Sequence, residues 1–259
     1  MPERNIKVAL LQYTPAPAET IALAARLCYS DSDIESLSDK SKGTADEFVQ
    51  KLFDLGHLSP IEHASFTFGV EGVSRALLAQ ITRHRIASFS VQSQRYVKQK
   101  EMNYIIPDTV KSLGDDAVNE FKEQMSQIHA WYLGWLEKGL PAEDARFVLP
   151  NAAETRMVIT MNAREIMHFF NLRCCDRAQW EIRTLAWTML GIARREAMSL
   201  FEKSGGPACV CSGKCSEGKM SCKKMAQMKK LSDDLSAFCL TRPSDDEILE
   251  FVKKGLYSL

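Results

Sequence analysis

Between Arg83 and Tyr96 the chain reads RHRIASFSVQSQRY. Arg83, His84, Arg85 and Arg95 stand there among the hydroxyls of Ser88, Ser90 and Ser93 and the amides of Gln92 and Gln94. The wider stretch 72–100 adds Arg75, Gln80, Lys98 and Lys100 and holds no Asp or Glu. A solvated helix face mixes signs, because opposite charges four residues apart stabilise it. Unbalanced guanidinium forks beside hydroxyls and backbone N–H groups suit phosphate. Arg-His-Arg, followed by Ser93 and Arg95, suggests two anions rather than one. In an extended segment Ser93 and Arg95 share one face. A basic surface or a nucleic-acid groove is the alternative, weakened by the few stacking rings there, Phe89 and Tyr96. Ser93 as a nucleophile needs an adjacent base. Its neighbours are cationic and His84 lies nine residues away, so Ser93 reads as a phosphate ligand.

Cysteines form a second group. Cys209, Cys211, Cys215 and Cys222 supply four thiols within fourteen residues, while Cys28, Cys174, Cys175 and Cys239 are scattered. Four thiolates suit zinc or an iron–sulfur cluster. The spacing C-x-C-x3-C-x6-C matches neither the paired C-x2-C of zinc ribbons nor the ferredoxin patterns. The alternative is a reduced, lysine-flanked tail, so metal binding stays open. His57 and His63 flank Pro60 without carboxylates in register and read as structural. GKCSEGKM, 213–220, imitates a phosphate loop, but Met220 replaces the needed hydroxyl and no strand precedes it. There is no G-x-G-x-x-G, hence no support for a Rossmann-type dinucleotide site.

These residues need elements to hold them. Strands are expected over 5–12, 64–70 and 154–162, where Phe66, Phe68 and Val70, and Met157, Ile159 and Met161, alternate. NYIIPD, 103–108, reads as a short strand stopped by Pro107. Helices are expected over 19–30, 44–56, 72–85 and 115–139. Thr44 with Glu47 reads as a capping box, and Gly56 and Gly139 as helix stops. The polar stretch 30–43 reads as loop. Asn162 with Glu165 caps a helix that runs towards Arg173, and Asp176 with Gln179 precedes a second over 177–203. Beyond Lys203 the composition turns to Gly, Ser, Lys and Cys, with short helices near 223–240 and 244–255. Alternating rather than continuously apolar strands favour an α+β fold, an antiparallel sheet packed with long helices.

Bulk properties narrow the classes. A chain of 259 residues with 45% hydrophobic and 25% charged residues can bury a full core. Net charge is zero, so basic function must be local, and neither nucleic acid nor membrane is implied. No apolar run approaches the roughly 20 residues of a membrane span. MPERNIKVAL lacks a secretory leader pattern, so a cytoplasmic chain with reduced thiols is expected.

The spacing R-H-R, seven residues, S, one residue, R-Y resembles the signature of the flavin-dependent thymidylate synthases. It stands here as Arg83-His84-Arg85, Ser93 and Arg95-Tyr96. GHLSPIEHASFTF, 56–68, and MNAREIMHFFNLRCCDRAQWEI, 161–182, are similar to the blocks on either side, and Arg146 in ARFVLP fits a further one. The resemblance covers roughly 5–203, which leaves 1–203 as the catalytic domain and 204–259 as a cysteine-rich C-terminal extension.

It implies that family's fold and a methyltransferase that reductively methylates dUMP to dTMP. Methylenetetrahydrofolate is the carbon donor, FAD the hydride carrier and NADPH its reductant. The resemblance also implies a homotetramer with sites shared between subunits. It places Ser59, Arg83, His84, Arg85, Asn162, Ala163, Arg164 and His168 at FAD. It places Gln80, Arg83, Gln92, Ser93, Gln94, Arg95, Arg146 and Arg173 at the nucleotide. Arg173 would stabilise negative charge on the pyrimidine, activating it without an enzyme nucleophile. A core histidine remains the alternative for His84. No Pro-Cys dipeptide of the cysteine-dependent synthases occurs. Ser90-Val91 departs from the family's frequent Asn-Glu, and Val91 cannot accept a hydrogen bond. A second rival is another nucleotide enzyme that uses the same arginines without flavin.

Overall fold

Alternating burial builds the sheet. The computed structural model describes residues 2–258. Its strands β1 (Lys7–Tyr13), β2 (Ser65–Ser74), β3 (Ala87–Val91) and β4 (Glu154–Asn162) lie in the order β1-β2-β4-β3. The inner strands bury alternate side chains: Phe66, Phe68 and Val70 on β2, and Thr155, Met157, Ile159 and Met161 on β4. The edge strands bury less, with only Val8 fully inside on β1 and no residue on β3. Ala163 N–H donates to the Ala64 carbonyl at 2.8 Å, Thr160 meets Thr67 at 2.9 Å, and Gly72 N–H donates to Glu154 at 3.3 Å. One number rises as the other falls, so β2 and β4 run antiparallel. The fold is α+β with a small antiparallel sheet, as the alternating strands predict.

The helices are α1 (Pro17–Leu27), α2 (Ile34–Ser41), α3 (Ala45–Asp54), α4 (Arg75–Ile81), α5 (Asp108–Lys111), α6 (Asp115–Glu137), α7 (Ala142–Ala145), α8 (Ala163–Arg173), α9 (Trp180–Glu196), α10 (Met198–Phe201), α11 (Ala208–Ser212), α12 (Met225–Cys239) and α13 (Asp245–Tyr257). Three short 3-10 helices join them, including Ser59–His63 and Arg146–Val148.

The chain divides into two compact units. The first holds the stretch up to Lys7, Gly69–Arg83 and Phe89–Val158. Its core gathers Met102, Tyr104, Ile106, Met125 and Ala153, with Phe121 and Ile128 of α6 packed against them. Gly72 is essential to this unit. Its φ is +67°, and a Cβ there would lie 1.9 Å from the Asn5 carbonyl oxygen, so only glycine fits.

The second unit holds Val8–Phe68, His84–Ser88 and the described chain from Ile159 onward. Helix α9 is its axis and is buried on nearly every side, through Ile182, Leu185, Trp187, Leu190 and Ile192. Trp187 Nε1–H donates to the Cys174 carbonyl at 2.9 Å. Helices α12 and α13 both pack on α9. Gly191 admits that approach, since a Cβ there would meet Ile248 at 2.6 Å. Buried Arg194 donates to the carbonyls of Phe201, Glu202, Gly205 and Ser232 and to the Ser232 hydroxyl. Among the described residues no helix is long and apolar enough to cross a membrane.

Several local expectations need correction. The polar stretch 30–43 contains α2, which Asp33 caps by accepting from Ser36 N–H at 2.8 Å while Leu37 is buried. Thr44 does not cap α3. Its hydroxyl donates to the Lys40 carbonyl at 2.9 Å instead. Residues 103–108 make no strand, only isolated bridges from Tyr104 to Glu3 and Ala153. Helix α4 stops at Ile81, which leaves Arg83-His84-Arg85 in the turn before β3, an unforeseen strand. Gln179, not Asp176, caps α9, accepting from Glu181 and Ile182 N–H.

Candidate functional site

Helix α8 carries one group of the expected residues, all within the second unit. Asn162 starts it, accepting from Glu165 N–H at 2.9 Å, and Ala163 is anchored to the Ala64 carbonyl. Arg164 and His168 lie four apart on one exposed face. Arg164 Nη1 donates to Glu62, in the 3-10 helix that begins at exposed Ser59. Arg173 ends the helix.

His84 sits against this helix. It is 4% exposed, and its ring meets His168 at 5.8 Å and Phe169 at 5.1 Å, both edge-on. Arg173 Nε–H donates to His84 Nε2 at 3.2 Å, and Glu165 Oε1 lies 3.3 Å from His84 Nδ1. Arginine cannot accept, so Nε2 must be the bare nitrogen and Nδ1 carries the proton towards Glu165. Burial, then the Arg173 charge, then His168 lower the His84 pKa to about 4. Burial raises the Glu165 carboxyl. The ring is thus a neutral connector between a buried carboxyl and a guanidinium. Arg85, one residue on, is exposed.

The first unit carries the other group. Ser93 accepts from Arg95 N–H at 3.1 Å, which shapes a tight turn after β3. Arg95 Nε donates to Glu143 Oε2 at 2.8 Å and its guanidinium lies over the Tyr96 ring at 5.2 Å. Arg146 Nε donates to the backbone carbonyl of the same Glu143 at 3.2 Å. Arg75 faces this cluster: burial first, then the Arg146 charge, lower its guanidinium pKa. Arg95 and Arg146 thus meet at Glu143, with Ser93 beside Arg95. Arg75 donates to Thr155 at 3.5 Å and lies within reach of the Arg146 charge. Such a set suits a dianionic phosphate. Gln80 lies on α4 and returns its amide to the Ala76 carbonyl at 3.3 Å. Gln92 lines a cavity of about 300 Å³ with Lys98, Lys100 and Arg156. Gln94 is buried, Arg83 exposed, and Val91 half-buried as the last residue of β3.

Sequence reasoning passed over Arg75, Glu143 and Glu165 as site residues. Arg75 carried a signal, as one of the unbalanced cations of 72–100. Glu165 carried only that of a capping residue. Glu143 carried none, since its link to Arg95 spans 48 positions.

The family model described as "Thymidylate synthase complementing protein" matches residues 9–197. The flavin-dependent thymidylate synthase of Geobacter sulfurreducens is 49% identical over 234 residues, covering 89% of this chain and 100% of that protein. The enzyme of that name from Clostridium tetani is 46% identical, over 88% of this chain and 97% of its own. That of Pyrococcus horikoshii is 41% identical, over 83% and 91%. With the blocks around α8 and the turn before β3 in place, the chain belongs to the thymidylate synthase complementing protein family, that of the flavin-dependent thymidylate synthases.

Proposed function

We propose that the protein is a flavin-dependent thymidylate synthase that reductively methylates dUMP to dTMP. Methylenetetrahydrofolate donates the carbon, and two electrons are needed because a methylene must become a methyl. FAD, when bound, supplies the hydride, and NADPH restores the cofactor. The observation that carries the reading is Arg173 held by neutral His84 at the end of a helix whose N-terminal half bears Asn162, Arg164 and His168.

The donor set fits an anionic dinucleotide. Arg83, Arg85, Arg164 and His168 are exposed, and Ser59 adds a hydroxyl. With Asn162, Ala163 and His84 these are the residues we assign to FAD. Ser93, Arg95 and Arg146 take the nucleotide phosphate, and Gln80, Arg83, Gln92 and Gln94 complete its contacts. Arg173 stabilises the charge that develops on the pyrimidine, as a fixed donor aimed at a forming anion does. Residues 1–203 carry this reaction and 204–259 form an extension. The active form is a cytoplasmic homotetramer with sites shared between subunits.

The test is direct. Purified protein should show a flavin visible spectrum, or gain one with added FAD, and should form dTMP from dUMP and methylenetetrahydrofolate with NADPH. Protein that neither retains nor binds flavin would sink the reading.

A further inference from the structure

The thiols sort differently in space than in sequence. Spacing groups Cys209, Cys211, Cys215 and Cys222. In the second unit a cavity of about 250 Å³ is lined instead by Cys175, Cys209, Cys215 and Cys222. Cys211 is absent from that lining. Its thiol donates to the Gly206 carbonyl at 3.7 Å and faces the charge of Arg194. Cys175 enters from the turn after α8, thirty-four positions before Cys209.

The four thiols are neighbours electrostatically as well. Beyond burial, Cys215 and Cys222 raise both the Cys175 and the Cys209 thiol. The backbone N–H of Arg177 points at the Cys175 sulfur and favours its thiolate. The loop holding Cys215 and Cys222 is tied to the Cys175 turn at two places. Arg177 Nη1 donates to the Met220 carbonyl at 2.9 Å, and Lys224 pairs with Asp176 at 3.2 Å. All four cysteines are free thiols.

We propose that Cys175, Cys209, Cys215 and Cys222 bind one soft divalent metal ion, zinc or ferrous iron, as four thiolates. Sulfur ligands select these ions, and four of them close a structural site. Among the described residues no three ligands already stand at ion-binding spacing. The site therefore closes on the ion, as metal-coupled folding commonly does. The chain has the freedom to do so. Cys175, Cys215 and Cys222 lie outside helices, and Gly213, Gly218 and Lys223 around the last two take positive φ. Each bound thiol releases its proton to solvent. Arg173 and Arg177 line the cavity and counter part of the charge gained, beside the carboxylates of Asp176 and Glu217. Arg173 lines the same cavity, so a metal there fastens the end of α8 that bears it.

The experiment measures metal, not turnover, so it can fail without the flavin reading failing. Full-length protein is purified without oxygen, given one equivalent of zinc, passed over a chelating resin and analysed for zinc and iron. Cobalt(II) serves as the spectroscopic probe of a thiolate shell. One metal per chain is expected in the wild type and in Cys211→Ser. Cys175→Ser and Cys222→Ser should lose it. Cys222→His should keep it at least about tenfold more weakly, because imidazole is also a ligand. Far-UV circular dichroism checks folding, and if Cys222→Ser unfolds, the histidine variant still decides. No retained metal in the wild type overturns the proposal. So does loss in Cys211→Ser with retention in Cys175→Ser, or retention in a folded Cys175→Ser, Cys222→Ser double variant.

Discussion

Arg173 and His84 are joined by one hydrogen bond, Nε–H to Nε2 at 3.2 Å, and it sets both the orientation of the arginine and the tautomer of the histidine. The bond works only while the ring is neutral. His84→Phe keeps a ring but removes the acceptor, so it should lower kcat about 10- to 100-fold by removing the hold of His84 on Arg173 Nε, with a smaller change in KM for dUMP. His84→Asn, which retains an acceptor, should recover part of the loss. Equal loss of kcat in both variants with intact FAD binding would reject the positioning role.

Histidine titration gives a second outcome. His84 titrates near 4 when folded and near 6.5 when unfolded. Between those values the unfolded chain holds a proton that the folded chain lacks. The stability contributed by the neutral ring is therefore full above pH 6.5 and lost as pH falls towards 4. The change is on the order of 3 kcal/mol. Glu165 opposes it, because its raised pKa makes the folded chain hold more protons just above the ordinary carboxylate range. Urea unfolding at intervals from pH 4 to 7 should show a positive slope in the wild type and a flatter one in His84→Phe. Nitrogen-15 spectra of the ring should report an Nδ1–H tautomer across pH 5 to 8.

Glu143 pairs with Arg95 at 2.8 Å. Both side chains are about half exposed, so the pair contributes only about 0.2–1 kcal/mol. Glu143→Gln removes a carboxylate that competes with phosphate for the same guanidinium. Its dUMP dissociation constant, measured by calorimetry, should fall up to about fivefold. Weaker binding would mean that Glu143 orients Arg95 rather than competing for it.

Gly72→Ala should be among the most damaging small substitutions. The residue is at positive φ and its added Cβ would overlap a backbone oxygen, not a yielding side chain. A loss of about 3 kcal/mol or more in chemical denaturation is expected. Gly139→Ala shares the positive φ but meets nothing within 4 Å, so it should lose clearly less.

Much of the frame is legible in local pattern. Met157, Ile159 and Met161 alternate, and β4 spans the expected 154–162. Asn162 caps α8 as its spacing with Glu165 implies. The failures have physical causes. In 30–43 the one buried leucine, Leu37, leaves α2 almost no apolar stripe to read. Thr44 faces the preceding turn, so its hydroxyl serves Lys40 and not α3. Strand β3 alternates Ala87, Phe89 and Val91 with exposed Ser88 and Ser90, but it is only five residues long and buries no side chain fully, so the rhythm is too short to stand out beside the arginines. For the site, residue types around Arg83 and Arg95 are visible in one dimension. The partners that orient them are not, since Glu143 and Glu165 meet Arg95 and His84 only through folding.

Arg194 carries a further consequence. Its five hydrogen bonds draw on the turn after α10 and on Ser232 of α12, and every acceptor is an uncharged oxygen. A chain ending near Lys203 would lose the Gly205 and Ser232 acceptors and, with α12 and α13, the cover that keeps Arg194 and the apolar faces of α9 out of water. The extension is thus not a detachable appendage, whatever its own chemistry. Truncation at Lys203 should therefore cost the catalytic domain stability through the bared apolar face of α9, while Arg194 itself becomes an ordinary solvated cation.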